Sequence, residues 1–183
     1  MSDELKEEGL ALFRRGMHDE ALSKFEAAKR SYAEAGDTVG RGEVLNNIGV
    51  VQRVRQNWDA AAAALDEAID LFAESGDENR QGQALGNLGD FYAFRGNPDE
   101  AARHYSDGAE LLARSGDYER QAQLLRALSL LRLRQRRVVE ALMLMEQSLD
   151  VRPRLNPLQR LLRLLIRFSS GLIGGRSADG QPS

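Results

Sequence analysis

The sequence predicts an all-α superhelical solenoid, built from about four helix-turn-helix units and a further C-terminal helix. Three observations carry this expectation. A Gly-Asp pair recurs at Gly36-Asp37, Gly76-Asp77 and Gly116-Asp117, a constant spacing of 40 residues, and recurrence at such a period marks a repeat array. Between these pairs the apolar residues fall at spacings of three and four, the period of a helix rather than a strand. Residues of one size hold fixed columns: Ala21, Ala61, Ala101 and Ala141 form one, and Gly9, Gly49, Gly89 and Ser129 form another.

The junctions explain each element in order. Glycine suits the left-handed residue just past a helix end, and aspartate suits the N-cap of the next helix, where its carboxylate accepts a free backbone N–H. Each Gly-Asp pair therefore closes one unit and opens the next, giving units at about 2–35, 37–75, 77–115 and 117–153. Within a unit, a first helix runs to a short turn, and these turns read "RGMHDEA", "RQNWDAA", "RGNPDEA" and "RQRRVVEA". Asp19, Asp59 and Asp99 are the expected N-caps of the second helices, and Pro98 marks the same kind of boundary. The fourth turn has Val139 at that place and lacks the cap. Trp58, in the second turn, is expected to staple two helices together.

Small residues at fixed positions let two helices cross closely. Gly49 and Gly89 on first helices are expected to face Ala61 and Ala101 on second helices. Ala68 and Gly108 stay small to admit the following unit, while Phe25, Leu65 and Tyr105 fill the space between. Leu45, Leu85 and Leu125, with Ile48, Leu88 and Leu128, supply the recurring apolar face. A single unit cannot bury that face alone, which is why the phrase recurs.

This arrangement resembles the tetratricopeptide repeat family over residues 2–153. The residues that carry the likeness are Leu88-Gly89 on the first helix, Ala101 on the second, the aromatic Tyr105 or Phe25, the late small residues Ala28 and Ala68, and Pro153 at the end. The period departs from the family's usual 34. At 40 it looks like the arrays of kinesin light chains, spindle-orientation adaptors and bacterial signalling regulators. The fourth unit is degenerate: Ser129 replaces Gly, Ser148 replaces Ala, and Arg132 stands where Tyr92 stands.

The resemblance implies a right-handed superhelix whose concave groove is lined by first helices and binds a peptide or protein segment. Carried onto this chain, the groove set is Asn46, Asn47, Val50 and Arg53 in unit two. It continues with Gln83, Asn87, Asp90 and Phe94 in unit three, then Arg126, Leu130 and Arg134 in unit four. Asn47 and Asn87 share a column. An amide offers both donors and an acceptor, so it pairs with peptide backbone whatever the side chains are; the other reading is that these amides bond locally or face water. The five cationic and amide positions by which chaperone-binding members hold a terminal carboxylate fall here on Lys6, Leu10, Asn47, Gln83 and Asn87. Only Lys6 and Asn47 match, which argues against a chaperone co-factor.

Composition narrows the remaining classes. There is no cysteine, hence no disulfide framework and no thiolate metal site. His18 and His104 lie apart and suit surface or packing roles, no cluster has metal-ligand spacing, and the glycine-rich "GLIGG" follows no strand, so no phosphate loop is expected. Neither an enzyme nor a cofactor is expected. The N-terminus "MSDELKEEG" is not a signal peptide, and a cytoplasmic protein is the expectation. The charge is uneven: residues 1–116 hold 13 Lys and Arg against 22 Asp and Glu, a net of −9, and residues 117–183 hold 12 against 6, a net of +6. The basic run at Arg132, Arg134, Arg136 and Arg137 suits an acidic partner better than nucleic acid, because the array as a whole is acidic.

Residues 154–170 are expected to form an amphipathic helix, with Leu158, Leu161, Leu162, Leu165 and Phe168 on one face and Arg160, Arg163 and Arg167 on the other. Two readings are open. A solenoid needs a terminal cap, and Leu142, Met145 and Leu149 offer a surface for one; a basic amphipathic helix also suits peripheral membrane contact through residues 155–170. The Gly/Ser-rich stretch 171–183 is expected to be a disordered tail. The function expected of the whole is a non-catalytic interaction module, an adaptor or assembly scaffold. The alternatives are a peptide-sensing regulatory domain or a membrane-associated assembly factor.

Overall fold

A computed structural model describes residues 1–174 of the chain, with side chains described through residue 166. It is all-α. Helices α1 (Ser2–Arg14) and α2 (His18–Glu34) form the first pair, α3 (Thr38–Val54) and α4 (Trp58–Ser75) the second, α5 (Glu78–Phe94) and α6 (Pro98–Arg114) the third, and α7 (Tyr118–Arg134) and α8 (Val138–Asp150) the fourth. A last helix, α9 (Pro157–Gly174), follows. The expected tail lies outside the described residues from 175 onward, and its first four residues close α9.

Local sequence sets the junctions between pairs. Gly36, Gly76 and Gly116 all adopt positive φ, the conformation that only glycine reaches without a steric cost. Asp37, Asp77 and Asp117 then cap α3, α5 and α7, each carboxylate accepting from the N–H three residues on, at 2.8, 2.9 and 3.0 Å.

The turns inside pairs correct one expectation. Asp19, Asp59 and Asp99 do not cap the second helices; the N-caps are Met17, Asn57 and Asn97, none with a side-chain cap bond. The left-handed residue fixes the cap as the next residue along. That residue is Gly16, Gln56, Gly96 or Arg136, at φ between 62° and 77°. Each aspartate thus falls inside the first turn, where it interacts with the positive end of the helix dipole.

Packing runs between neighbours. Each helix packs on the one before and after it, and in addition α1, α3, α5 and α7 touch in series. Among the described residues α2, α4, α6 and α8 make no such series. First helices therefore form the inner wall of a curved array and second helices the outer. Phe25, Phe72, Leu65, Leu112, Val44 and Val51 are its largest fully buried side chains.

The glycine column is a set of close crossings. A β-carbon on Gly9 would stand 2.6 Å from the ring of Phe25, on Gly49 2.6 Å from Leu65 and 3.2 Å from the Ala61 carbonyl, and on Gly89 2.6 Å from the ring of Tyr105. Gly108 closes on the carbonyl of Gly82 and on Leu124 of the following pair. The fourth pair absorbs its serine differently: the buried Ser129 hydroxyl donates to the Ala141 carbonyl at 2.7 Å.

The last helix departs from expectation. It begins at Pro157, behind a reciprocal cap in which the Gln159 N–H donates to Asn156 Oδ1 and the Asn156 N–H to Gln159 Oε1, the capping-box arrangement. It packs on α8, but not through its leucine face. Leu158, Leu161, Leu162 and Leu165 are exposed, whereas Ile166 is buried and Arg163 pairs with Asp150 at 3.3 Å. The ion pair and Ile166 fix the rotation of α9, and they turn the expected capping face outward.

Candidate functional site

The inner wall holds two adjoining cavities. The first, of roughly 530 Å³, lies across α1, α3 and α5, with Asn46, Asn47, Asn79, Arg80 and Gln83 among its walls. The second, of roughly 280 Å³, lies between α5 and α7, where Asn87, Asp90, Gln123 and Leu124 line it. Gln83 and Arg120 border both, so the two form one trough along the first helices.

Amides furnish much of its polar surface. They stand at the helical spacing that places them on one face. The Asn87 amide donates to Asn46 Oδ1 at 2.8 Å, bridging two units, and Gln83 donates to Asn79 at 2.5 Å. Asn87 Oδ1 and the amide hydrogens of Asn46 are left to bond elsewhere, as an amide has more capacity than one bond consumes. Of the two asparagines that share a column, Asn87 bonds locally, to Asn46, and Asn47 borders the first cavity.

Charges run beside the amides in a linked chain. Lys6 Nζ donates to Glu43 Oε2 at 2.6 Å, Arg80 Nε donates to Glu43 Oε1 at 2.6 Å, and Arg80 also reaches Asp77 at 2.6 Å. The chain ties α1, α3 and α5 together. Burial pushes the Glu43 carboxyl up, but Lys6 and Arg80 outweigh it and hold it below its ordinary value. Burial would lower Lys6, and its bond to Glu43 reverses this and raises it. Arg120 repeats the pattern one unit later, on Asp117 at 2.6 Å. At the second cavity the Tyr105 hydroxyl donates to Asp90 at 2.7 Å; burial first, then that carboxylate, raises the phenol.

The expected groove residues divide. Asn46, Asn47, Gln83, Asn87 and Asp90 line the trough. Val50, Arg53, Phe94, Arg126, Leu130 and Arg134 line neither cavity. Phe94 turns toward Trp58, with ring centroids 5.4 Å apart, and Trp58 meets Phe91 as well. Arg53 is half-buried, with its Nε enclosed and unpartnered. Arg126, Leu130 and Arg134 are exposed on α7.

Among the trough residues outside the expected set are two arginines, Arg80 and Arg120. Their signal in the sequence is Asp-x-x-Arg, at 77–80 and again at 117–120. The N-cap carboxylate that starts each helix also anchors the guanidinium one turn later.

Among the described residues no group of three or more His, Cys, Asp and Glu is placed to hold a metal ion. His104 is a packing residue, buried and stacked on Tyr92 at 5.1 Å. No helix among the described residues is long and apolar enough to cross a membrane.

Comparison with known proteins places the chain. A family model described as tetratricopeptide repeat matches residues 5–74 and 80–154. None of the curated proteins matches. Among solved structures, the crystal structure of BtubC (BKLC) from P. vanneervenii superposes with a TM-score of 0.73 at 18% identity. The match covers 85% of this chain and 66% of that one, and at that identity the likeness is one of fold.

Proposed function

The chain belongs to the tetratricopeptide repeat family, and from that premise we propose that it is a non-catalytic adaptor or assembly scaffold that holds an extended segment of a partner protein in its concave trough. Repeats of this family mediate protein–protein interaction, and the all-α fold is typical of such modules. The observation that carries the finer reading is the amide row: Asn46, Asn47, Gln83 and Asn87 border a trough that crosses four first helices. Hydrogen bonds to a peptide backbone give affinity that is indifferent to its side chains, and the pockets between amides select among those side chains.

The groove is also preorganised. Glu43 is held by cations from two other helices, and Asn87 is held by Asn46. A rigid wall loses little entropy when a segment settles on it.

Selection of peptides from a random display library on the intact chain tests the reading. The peptides recovered should lose affinity for the Asn47→Ala/Asn87→Ala variant. Two neutral hydrogen bonds at about 0.5–1.5 kcal/mol each correspond to a loss of roughly 5- to 150-fold. The circular dichroism spectrum should stay as it is. Peptides that bind wild type and variant equally would place the interaction on another surface.

A further inference from the structure

We propose that α9 is a membrane-surface helix, docking on bilayers that carry anionic phosphate headgroups. This goes beyond the trough and concerns the C-terminal end of the array.

The first observation is the unpartnered apolar face. Leu158, Leu161, Leu162 and Leu165 follow the i, i+3, i+4, i+7 spacing of one helical face. They and the adjoining Leu164 are between 41% and 74% exposed. The helix is held to the array by its flank, through Ile166 and the Arg163–Asp150 pair, which leaves the leucines free to enter an apolar phase.

The second observation selects the occupant. Between residues 151 and 174 the chain has five arginines and no aspartate or glutamate. Four of them, Arg152, Arg154, Arg160 and Arg163, converge with Pro153 and Leu155 on a cavity of roughly 460 Å³ at the α8–α9 junction. Two carboxylates answer them, Glu119 on Arg152 at 3.1 Å and Asp150 on Arg163 at 3.3 Å. The Nε atoms of Arg152 and Arg163 are buried without a partner. Two positive charges and two enclosed donors are left over. The planar fork of a guanidinium fits the oxygens of a phosphate, so the cavity suits a headgroup phosphate held beside the inserted leucines. Apolar insertion and arginine attraction together are the two signals that stable interfacial anchoring requires. Self-association through the same face is disfavoured, because it would bring two such arginine clusters together with no carboxylate on either helix.

The test is co-sedimentation of the intact chain with vesicles. One set is phosphatidylcholine alone, and the other is phosphatidylcholine doped with phosphatidylserine. Binding is expected to the anionic vesicles only. Leu161→Glu/Leu165→Glu and Arg154→Glu/Arg160→Glu alter exposed residues, and each should weaken it by roughly tenfold or more with helicity unchanged. The Asn47→Ala/Asn87→Ala variant should bind vesicles like wild type, which separates this proposal from the trough reading. Equal binding to both vesicle types would overturn the proposal, as would no binding. Anionic binding that survives the leucine variants and is competed by inorganic phosphate would reduce the site to a phosphate pocket and reject the docking helix. A dimer by light scattering that ignores vesicles would assign the face to a second copy.

Discussion

Gly89 lies beneath the ring of Tyr105, so closely that a β-carbon on the glycine would stand 2.6 Å from a ring carbon. The ring cannot swing aside freely, because its hydroxyl is tied to Asp90 at 2.7 Å. Gly89→Ala should therefore overpack the crossing and cost ~1–3 kcal/mol. The gain in helix propensity from replacing glycine, ~1 kcal/mol at most, offsets only part of this. Ala101→Leu, at a fully buried position of the partner helix, should act in the same direction. Urea denaturation midpoints measure both, and an unchanged midpoint for either would contradict the crossing described.

The Glu43 chain gives an acid-side prediction. The Glu43 carboxyl is held below its ordinary value of 4.5, so the stability it lends is present above about pH 4.5 and is lost as the pH falls through its folded value. Glu43→Gln removes the shared acceptor of Lys6 and Arg80, and should cost ~1–2 kcal/mol at neutral pH. Its melting temperature should fall less steeply than that of wild type between pH 5 and pH 3. Parallel slopes would mean that other carboxylates govern acid unfolding.

His104 acts higher on the pH scale. Burial, then Arg103, holds its pKa below the ordinary 6.5. The folded state thus binds the proton less readily than the unfolded state, and stability declines as the pH falls below about 6.5 toward the folded value. His104→Phe keeps the stack on Tyr92 and removes the titration, so the decline between pH 7 and pH 5.5 should shrink. Thermal melts of the two proteins across that range decide the matter.

Two of the turns inside pairs hold backbone strain. Gln56 and Arg136 adopt φ of 62° at the places where Gly16 and Gly96 stand in the other pairs. A left-handed conformation costs a side-chain-bearing residue ~1–2 kcal/mol. Gln56→Gly and Arg136→Gly should each stabilise the chain, by roughly 0.5–1 kcal/mol once the greater freedom of glycine in the unfolded chain is counted. A lowered melting temperature in either variant would show that the original side chain makes contacts worth more than its strain.

These cases also show what sequence makes legible. The Gly-Asp junctions were readable because a positive φ and a cap are decided within four residues. The turns inside pairs follow the same rule: Gly16 and Gly96 set Met17 and Asn97 as caps, two residues before the expected Asp19 and Asp99. The crossings at Gly49 and Gly89 were legible because a column of small residues has one packing explanation. The trough was legible only in part. The asparagine column is a repeat signal, but Arg80 and Arg120 gain their position from a carboxylate at the preceding cap, a relation that apolar periodicity does not register. The rotation of α9 was not legible, because the Arg163–Asp150 pair and Ile166 set it, and a helical wheel by itself shows only that one face is greasy.

The nearest-neighbour packing of the array has a mechanical meaning. Apart from the series of first helices, each helix among the described residues grips only the ones before and after it, so a load applied to the two ends is carried through a row of similar seams rather than across one shared core. Under small extension each seam yields by a little, and the curvature of the inner wall opens or tightens as a spring does. Under larger extension whole repeats come away from an end, and ties between units, such as Lys6–Glu43–Arg80 on the N-terminal side and Arg114–Glu78 and Arg152–Glu119 further on, are what each seam must break.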